Sequence, residues 1–236
     1  MFFGKFPLFA ARIGKDDINI EDFFIRIAAV TDYTQLVSAM TPYMVKDGER
    51  IEDVAFRMYG DPMLHWTILL VNNITNIYEE WPLAQDVLYK RMFDNYVFTV
   101  TVPVGHQLAA GMTVQSSAGN SFTVVSARPE TVVLRSLDGI AYLTRENVLY
   151  NTTRQPRVPI RILSVQDPLE TTHHYVDIAS GYWVDFNQND LGQGIIRPVS
   201  NLEYEQELND SKRNIRVLDK RYLNEFVKMF DRELTL

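Results

Sequence analysis

The sequence predicts a protein of the α+β class, because helical and strand patterns occupy separate stretches of its 236 residues. Ile51, Val54 and Ala55 recur at the spacing of one helix face. Residues 97–150 consist of short β-branched runs separated by glycine-containing turns, a pattern typical of antiparallel strands. A wide apolar stripe over residues 222–230 indicates an amphipathic helix at the end. We therefore expect helices on both sides of a small antiparallel β-domain.

The composition argues against several classes of protein. With 23 Lys and Arg against 30 Asp and Glu, the net charge of −7 disfavours a dedicated nucleic-acid binder, which needs a basic face. No cysteine is present, which excludes disulfides, thiolate catalysis and cysteine-ligated zinc. The apolar runs are shorter than the ~20 residues that a membrane span needs. The aromatic opening MFFGKFP lacks the pattern of a signal peptide, so we expect a soluble product of the cytoplasm.

The first predicted part is an N-terminal arm and helix over residues 1–40. Phe23, Phe24, Ile27 and Ala28 lie at helical spacing within residues 20–40, and the pattern then breaks around Thr31. We expect a short helix followed by a less regular link.

The second predicted part spans residues 41–94. It begins with a strand around Tyr43 and a turn at Asp47-Gly48, after which a helix starts near Ile51. Gly60 suits the end of that helix, and Pro62 suits the first turn of a second one that ends near Asn72. A third helix is predicted to open at Pro82.

The third and fourth parts are an inserted β-rich domain, residues 95–153, and a C-terminal docking segment, residues 154–236, with a linker at 152–159. The fourth part contains a predicted β-hairpin around Ser180-Gly181. Further elements there are a helix opened by the capping-box residues Ser200 and Glu203, a strand around Ile215 and Val217, and a last helix capped by Asp219.

Residues that carry chemistry are few and scattered. His173 and His174 are adjacent on a predicted strand, where neighbours point to opposite faces, so we expect no shared metal ion. Carboxylates that are close in sequence, such as Glu52 with Asp53, Glu79 with Glu80 and Glu203 with Glu205, fall in runs typical of solvated helix faces or caps. No cofactor fingerprint or nucleophile motif is present. The sequence therefore predicts no catalytic, cofactor or metal site.

Residues 43–73 resemble a LysM module, a strand–helix–helix–strand unit. The matching positions are Tyr43, Val45, Gly48, Ile51, Val54, Ala55, Tyr59, Gly60 and Asn72. The exit motif of sugar-binding LysM modules is missing, and Trp66 lies within an apolar helix pattern. We therefore expect Trp66 and Trp81 to be structural residues instead of sugar platforms.

A second resemblance is more specific. The stretch DGERIEDVAFRMYGDPMLHWTILLVNNITNIYEEWPL is similar to the LysM-like baseplate wedge proteins of contractile-tail bacteriophages of the T-even type. The opening MFFGKFP also resembles that family. So do the C-terminal positions Ser200, Asn201, Tyr204, Glu205, Asn209, Asp210, Lys212, Arg213, Ile215 and Leu218. The β-rich block departs from the compact family pattern and is interpreted as an insertion.

This resemblance implies a structural protein of the virion without a catalytic site or a cofactor. It would lie in the tail baseplate after assembly in the host cytoplasm, in multiple copies. Its partners would be other baseplate wedge proteins and neighbouring wedges, which it helps to join into a six-fold ring around the hub. We expect no nucleic-acid or membrane partner.

The C-terminal segment supplies the predicted protein contacts. Its basic residues Arg213, Arg216 and Arg221 lie among carboxylates, which is typical either of a salt-bridged docking surface or of an ordinary charged face. Tyr222, Phe226 and Phe230 form the apolar stripe. These six residues are the predicted interface, and the alternative is that the stripe closes the protein's own core.

Two other functions stay open at this stage. One is a tail protein that binds, or even cleaves, peptidoglycan through the LysM-like part; cleavage would require two acids at catalytic separation. The other is a small enzyme whose site is assembled from scattered residues such as His174, Asp177 and Tyr182.

Overall fold

The computed structural model describes residues 8–13, 16–21, 39–152 and 157–233. Helices and strands are both abundant, which confirms the α+β class. The chain divides into two compact units: Met1–Ala84 together with Asn209–Leu236, and Gln85–Leu208. The four parts predicted from the sequence stay a prediction.

The elements of the described residues are numbered in chain order. The strands are β1 (Leu8–Ile13), β2 (Asp16–Glu21), β3 (Met40–Met44), β4 (Phe98–Thr101), β5 (Thr113–Ser116), β6 (Ser121–Ala127), β7 (Thr131–Ser136), β8 (Val148–Asn151), β9 (Pro159–Arg161), β10 (Ser164–Gln166), β11 (Thr172–Asp177), β12 (Trp183–Val184), β13 (Ile196–Ser200) and β14 (Asn214–Leu218). The helices are α1 (Ile51–Tyr59), α2 (His65–Val71), α3 (Ile77–Glu80), α4 (Gln85–Asn95), α5 (Gln188–Gly192), α6 (Asn201–Ser211) and α7 (Lys220–Glu233).

The N-terminal arm contains one antiparallel hairpin, in which β1 pairs with β2 from Leu8 opposite Glu21 to Ile13 opposite Asp16. The short helix predicted around Phe23–Ala28 lies outside the described residues.

The first unit is closed by a strand from the far end of the chain. β14 pairs antiparallel with β3, with Asn214 opposite Met44 and Leu218 opposite Met40. Along the chain, α1 and α2 follow β3, so these elements have the order strand, helix, helix, strand, with β14 as the last strand. The sequence did not predict that residues 214–218 return to pair with residues 40–44.

The helix boundaries of this unit follow from local chemistry. Gly60 adopts the left-handed conformation with φ of 84°, which ends α1 as the sequence predicted. Asp61 then caps a 3₁₀ turn over Pro62–Leu64 by accepting a hydrogen bond from the Met63 amide at 2.8 Å. α2 follows and ends at Val71, close to the predicted end. The helix that was predicted to open at Pro82 is α4, and it begins at Gln85.

Aromatic rings of α2 and of the C-terminal helix α7 pack together in the core of the first unit. Trp66 of α2 packs against Phe230 of α7 with ring centroids 4.4 Å apart, and against Phe226 at 6.1 Å. Trp81 is buried and donates its indole N–H to the backbone carbonyl of Glu49 at 2.9 Å. Both tryptophans are therefore structural, as expected.

Two asparagine side chains tie distant backbone segments of this unit together. Asn72 donates to the Arg216 carbonyl at 2.7 Å and accepts from the Arg216 amide at 2.8 Å. Asn209, which is 3% exposed, accepts from the Leu83 amide at 2.7 Å and donates to the Leu83 carbonyl at 3.0 Å. Each amide therefore satisfies both polar groups of one backbone residue, as a neighbouring strand would.

The second unit is built on a seven-stranded antiparallel sheet with the order β10-β4-β7-β6-β5-β8-β9. The two edge strands, β9 and β10, follow each other directly in the chain through the buried Ile162, so the sheet curls back on itself. Phe98, Phe122 and Leu134 lie in its core. The strands predicted over residues 97–150 are present, and the predicted linker at 152–159 falls partly on 153–156, outside the described residues.

A second sheet of this unit has three strands in the order β12-β11-β13. β11 and β12 form the predicted hairpin, whose turn is held by Asp177. The carboxylate accepts from the Ser180 amide and hydroxyl, both at 2.7 Å, and the hydroxyl bond lowers the Asp177 pKa. Ser200 then caps α6 by accepting from the Glu203 amide at 3.2 Å, which is the serine half of the predicted capping box. The Glu203 carboxylate pairs with Arg197 at 2.7 Å instead of capping.

No helix in the described ranges is long and apolar enough to cross a membrane.

We predict that Asn209→Ala destabilises the protein by about 1–3 kcal/mol, because the variant leaves the amide and carbonyl of Leu83 without their partner. The measurement is the free energy of unfolding from urea titration. Asn224→Ala on the exposed face of α7 is the matched control and is expected to change stability by less than about 0.5 kcal/mol. Equal unfolding midpoints for the two variants would show that Asn209 does not hold the unit together.

Candidate interaction surfaces

Arg213, the first predicted contact residue, is already engaged within the first unit. Its side chain is 15% exposed and pairs with Asp210 at 2.9 Å and with Asp47 at 3.1 Å. Asp47 lies in the turn before α1, so this arginine fastens the start of β14 to that turn. A partner would have to compete with two carboxylates to reach it.

Arg216 and Arg221 are exposed. Arg221 pairs with Asp219, with Nη2 2.8 Å from Oδ2 and Nε 3.1 Å from Oδ1, and the hydrogen bonds from this guanidinium lower the Asp219 pKa to about 2. The Arg221 guanidinium also lies 5.8 Å from the centre of the Tyr222 ring. The guanidinium groups of Arg216 and Arg221 are therefore at the surface.

The predicted aromatic stripe divides between core and surface. Phe226 is fully buried and Phe230 is 1% exposed, both in the core of the first unit. Tyr222 is half-buried and packs against the edge of the same core. For the two phenylalanines the structure favours core closure over contact with a partner. An interface role at Arg216, Arg221 and Tyr222 stays a prediction.

The one buried carboxylate that the described core residues include is Glu49. It accepts from the Tyr43 hydroxyl at 2.9 Å and from the Lys46 amide at 2.9 Å, and it pairs with Arg57 at 2.8 Å. The Tyr43 pKa is raised, first because of burial and then because its hydroxyl donates to this carboxylate. The network joins β3 to α1, and every contact of the Glu49 carboxylate named here is to a residue of the same unit.

The carboxylates paired in sequence have separate structural roles. Glu80 accepts from the Thr75 hydroxyl and from the Asn76 amide, both at 3.0 Å, and the bond from Asn76 lowers its pKa. Glu203 pairs with Arg197 at 2.7 Å, and Glu205 accepts from the Tyr96 hydroxyl at 3.0 Å. Burial, and then the hydrogen bond to Glu205, raise the Tyr96 pKa. These acids are caps and pairs, as the sequence indicated.

The prediction that the two adjacent histidines point to opposite faces of the strand was wrong. Their Nδ1 atoms lie 2.9 Å apart, so the two rings meet instead of pointing to opposite faces. The cause is a β-bulge, because Thr172 is opposite Ser200 while His174 is opposite the next residue, Val199. His173 is the extra residue, and a bulge of this kind redirects its side chain.

The two imidazoles belong to a cluster of four rings, which we name the imidazole–aromatic cluster: His173, His174, Trp183 and Tyr204. His173 stacks on Tyr204 and His174 stacks on Trp183, each with centroids 4.0 Å apart. Burial, and then the neighbouring His173, lower the His174 pKa. One Nδ1 must carry a proton and the other must accept it, so the contact requires at least one neutral ring.

Metal binding gains no support from this cluster. Among the residues that the structure describes, no group of three His, Cys, Asp or Glu side chains is arranged to hold a metal ion.

The scattered enzyme site is also not assembled. The Asp177 carboxylate is engaged by Ser180, His174 is stacked on Trp183, and Tyr182 is 76% exposed. Asp177 and Tyr182 meet through their backbones, with the Asp177 amide donating to the Tyr182 carbonyl at 2.9 Å. Within the described ranges, no side-chain hydrogen bond joins any two of the three residues.

Comparison with known proteins identifies a family that part of the chain resembles. Residues 3–115 match the family described as Base plate wedge protein 53. A stretch of 78 residues is 30% identical to the baseplate wedge protein gp53 of Enterobacteria phage T4. The predicted resemblance to baseplate wedge proteins is confirmed. This second match covers 33% of the chain and 36% of the T4 protein, so most of each chain lies outside it.

The matched residues include β3 and the helices α1 to α4, together with the first strands of the seven-stranded sheet. The imidazole–aromatic cluster and the C-terminal segment lie outside them. The match of residues 3–115 therefore covers α1 to α3 of the first unit and leaves out its last helix, α7.

We predict that the His174 ring titrates below its ordinary pKa of 6.5, with Glu203, Glu207 and Arg197 as its other charged neighbours. A lowered pKa means that the folded protein favours the neutral ring. The stability from this group is therefore complete above the ordinary pKa and is lost as the pH falls through the folded value. NMR titration of the imidazole resonances measures the His174 pKa in the folded protein.

His173→Gln is the matched variant for this titration. It removes the neighbouring ring that lowers the His174 pKa, so the His174 midpoint is expected to rise. A midpoint at or above the ordinary value in the parent protein would contradict the described contact.

Proposed function

We propose that this protein is a structural component of a contractile phage tail baseplate, located in the virion and assembled in the host cytoplasm. In this role it binds other wedge subunits and helps adjacent wedges to join into a ring around the hub. The observation that carries the proposal is the match of residues 3–115 to the family of base plate wedge protein 53. The role requires no catalytic site and no cofactor.

The first unit supports this assignment through its architecture. Its order of strand, helix, helix and strand is the order of a LysM-like module, with β14 taking the place of the second strand. Trp66 and Trp81, the aromatic residues that sugar stacking would need at the surface, are 5% and 8% exposed. A LysM-like scaffold that contacts proteins is therefore better supported than one that reads glycans.

The partner contacts that we propose lie at the exposed end of β14 and the start of α7. Arg216 and Arg221 present guanidinium groups there, and Tyr222 adds an aromatic edge. Arginine and tyrosine are enriched at protein interfaces. Because a baseplate holds several copies, modest contacts at each copy add up through multivalency.

The test is a pull-down of the purified chain with two baits, insoluble peptidoglycan and a lysate that contains the other tail proteins of its phage. We expect capture of specific tail proteins and no sedimentation with peptidoglycan. The reverse result would support the peptidoglycan-binding alternative and would contradict the assembly role.

We further predict that the double variant Arg216→Glu with Arg221→Glu lowers the capture of tail proteins by about tenfold or more, because opposed charges at an interface are lost. Lys228→Glu, an exposed position farther along α7, is the matched control and is expected to leave capture unchanged. Equal losses for both variants would show that capture depends on overall charge and not on these arginines.

A further inference from the structure

The three-stranded sheet of the second unit lacks a core of its own. Its buried apolar residues are Val176, Ile196 and Val199, and none of them belongs to either of the two large core clusters of the described residues. Around the same sheet, large apolar side chains are exposed. They are Ile178, Tyr182, Trp183, Phe186, Ile195 and Leu208. Ile178, Trp183 and Leu208 line one cavity, and an exposed apolar patch of this kind is typical of a binding surface.

The same segment carries the negative charge of the protein. Residues 167–208 hold eight acidic residues against one basic residue, a net charge of −7 that equals the net charge of the whole chain. The single basic residue, Arg197, is paired with Glu203 at 2.7 Å. The surface of this segment is therefore both apolar and strongly acidic.

A cavity of about 500 Å³ lies on this surface. Its lining includes the rings of Trp183 and Tyr204 and the carboxylates of Asp177 and Glu207. His174 and Arg197 line it as well, and the Arg197 guanidinium is already paired with Glu203. Asp177 is ionised at neutral pH, as a carboxyl with the ordinary pKa of 3.8 already is, and the hydrogen bonds from Ser180 lower its pKa further. Aromatic rings next to carboxylates favour a cationic side chain, since both attract positive charge.

We propose that this face of the second unit binds a basic segment of another protein, in which arginine or lysine residues stand beside apolar ones. The apolar residues would cover the exposed side chains around Trp183, and a cation would enter the cavity beside Glu207. This goes beyond the baseplate role, because it assigns a surface outside the matched residues and specifies the chemistry of its occupant.

Charge decides between the possible occupants. A second copy of the same face would bring two acidic surfaces together, which is costly at a desolvated interface. A nucleic acid would bring phosphates against carboxylates. A basic protein segment satisfies both the apolar and the charged character of the surface.

The experiment uses the full chain and three fluorescein-labelled peptides of equal length in buffer of about 0.15 M ionic strength. The first peptide alternates arginine and leucine, the second glutamate and leucine, and the third arginine and serine. Fluorescence anisotropy measures binding. We expect saturable binding of the arginine–leucine peptide, no binding of the glutamate–leucine peptide, and binding of the arginine–serine peptide weakened about tenfold, because the apolar contacts are lost.

Trp183→Ala and Glu207→Gln are each expected to weaken binding of the arginine–leucine peptide by about fivefold or more, the range for residues central to an interface. The matched controls are Tyr142→Ala and Glu146→Gln, two exposed positions elsewhere in the second unit. They are expected to leave the affinity unchanged within about twofold, as surface changes outside an interface do. Ile178→Ser, on the same face as Trp183, replaces Trp183→Ala if that variant does not fold.

Several results would overturn the proposal. One is equal weakening by the control variants, and another is equal affinity for the arginine–serine peptide, since both would indicate non-specific attraction to an acidic protein. A third is self-association of the chain that Trp183→Ala abolishes, because the occupant would then be a second copy. Each of these is independent of whether tail proteins are captured through Arg216 and Arg221.

Discussion

The pairing of β14 with β3 is the constraint on which the first unit depends. The Val45 amide donates to the Arg213 carbonyl at 2.9 Å, a backbone contact between residues 168 positions apart. Without it the core would lack Phe226 and Phe230, and Trp66 would lose its two aromatic neighbours. Closing so long a loop costs entropy, but the cost grows only slowly with length and is smaller when the intervening chain is itself folded. The compact second unit meets that condition.

This organisation separates two kinds of surface. In the first unit Trp66, Phe226 and Phe230 are buried, while Arg216 of β14 and Arg221 of α7 are exposed. In the second unit the curled sheet has a closed core, while the small sheet beside it exposes Trp183 and Phe186 in an acidic setting. The match to baseplate wedge proteins covers mainly the first of these arrangements. The acidic surface that we propose as a contact, within residues 167–208, therefore lies outside the residues that match that family.

The sequence predicted the elements whose signals are local. The end of α1 at Gly60, the turn at Asp177 to Gly181 and the cap at Ser200 each depend on residues a few positions apart. The sequence did not predict the return of β14 to β3, because strand pairing over such a distance leaves no local pattern. It also did not predict the bulge at His173, which joins two rings that regular strand geometry would separate. The excess of acidic over basic residues in 167–208 can be counted from the sequence. Only the structure shows that these residues surround a sheet with exposed apolar side chains.

The most direct test of this account is a disulfide between β3 and β14 in a chain that has no cysteine of its own. Met44 and Asn214 are opposite each other and flank the hydrogen-bonded pair Val45–Arg213, so their Cα atoms lie about 4.5 Å apart, within the range of a disulfide. We predict that Met44→Cys with Asn214→Cys cross-links fully under mild oxidation. Met44→Cys with Arg216→Cys, a diagonal pair about 7–8 Å apart, is expected to stay largely reduced. The opposite pattern, or no cross-link in either variant, would contradict the closure of the first unit by the end of the chain.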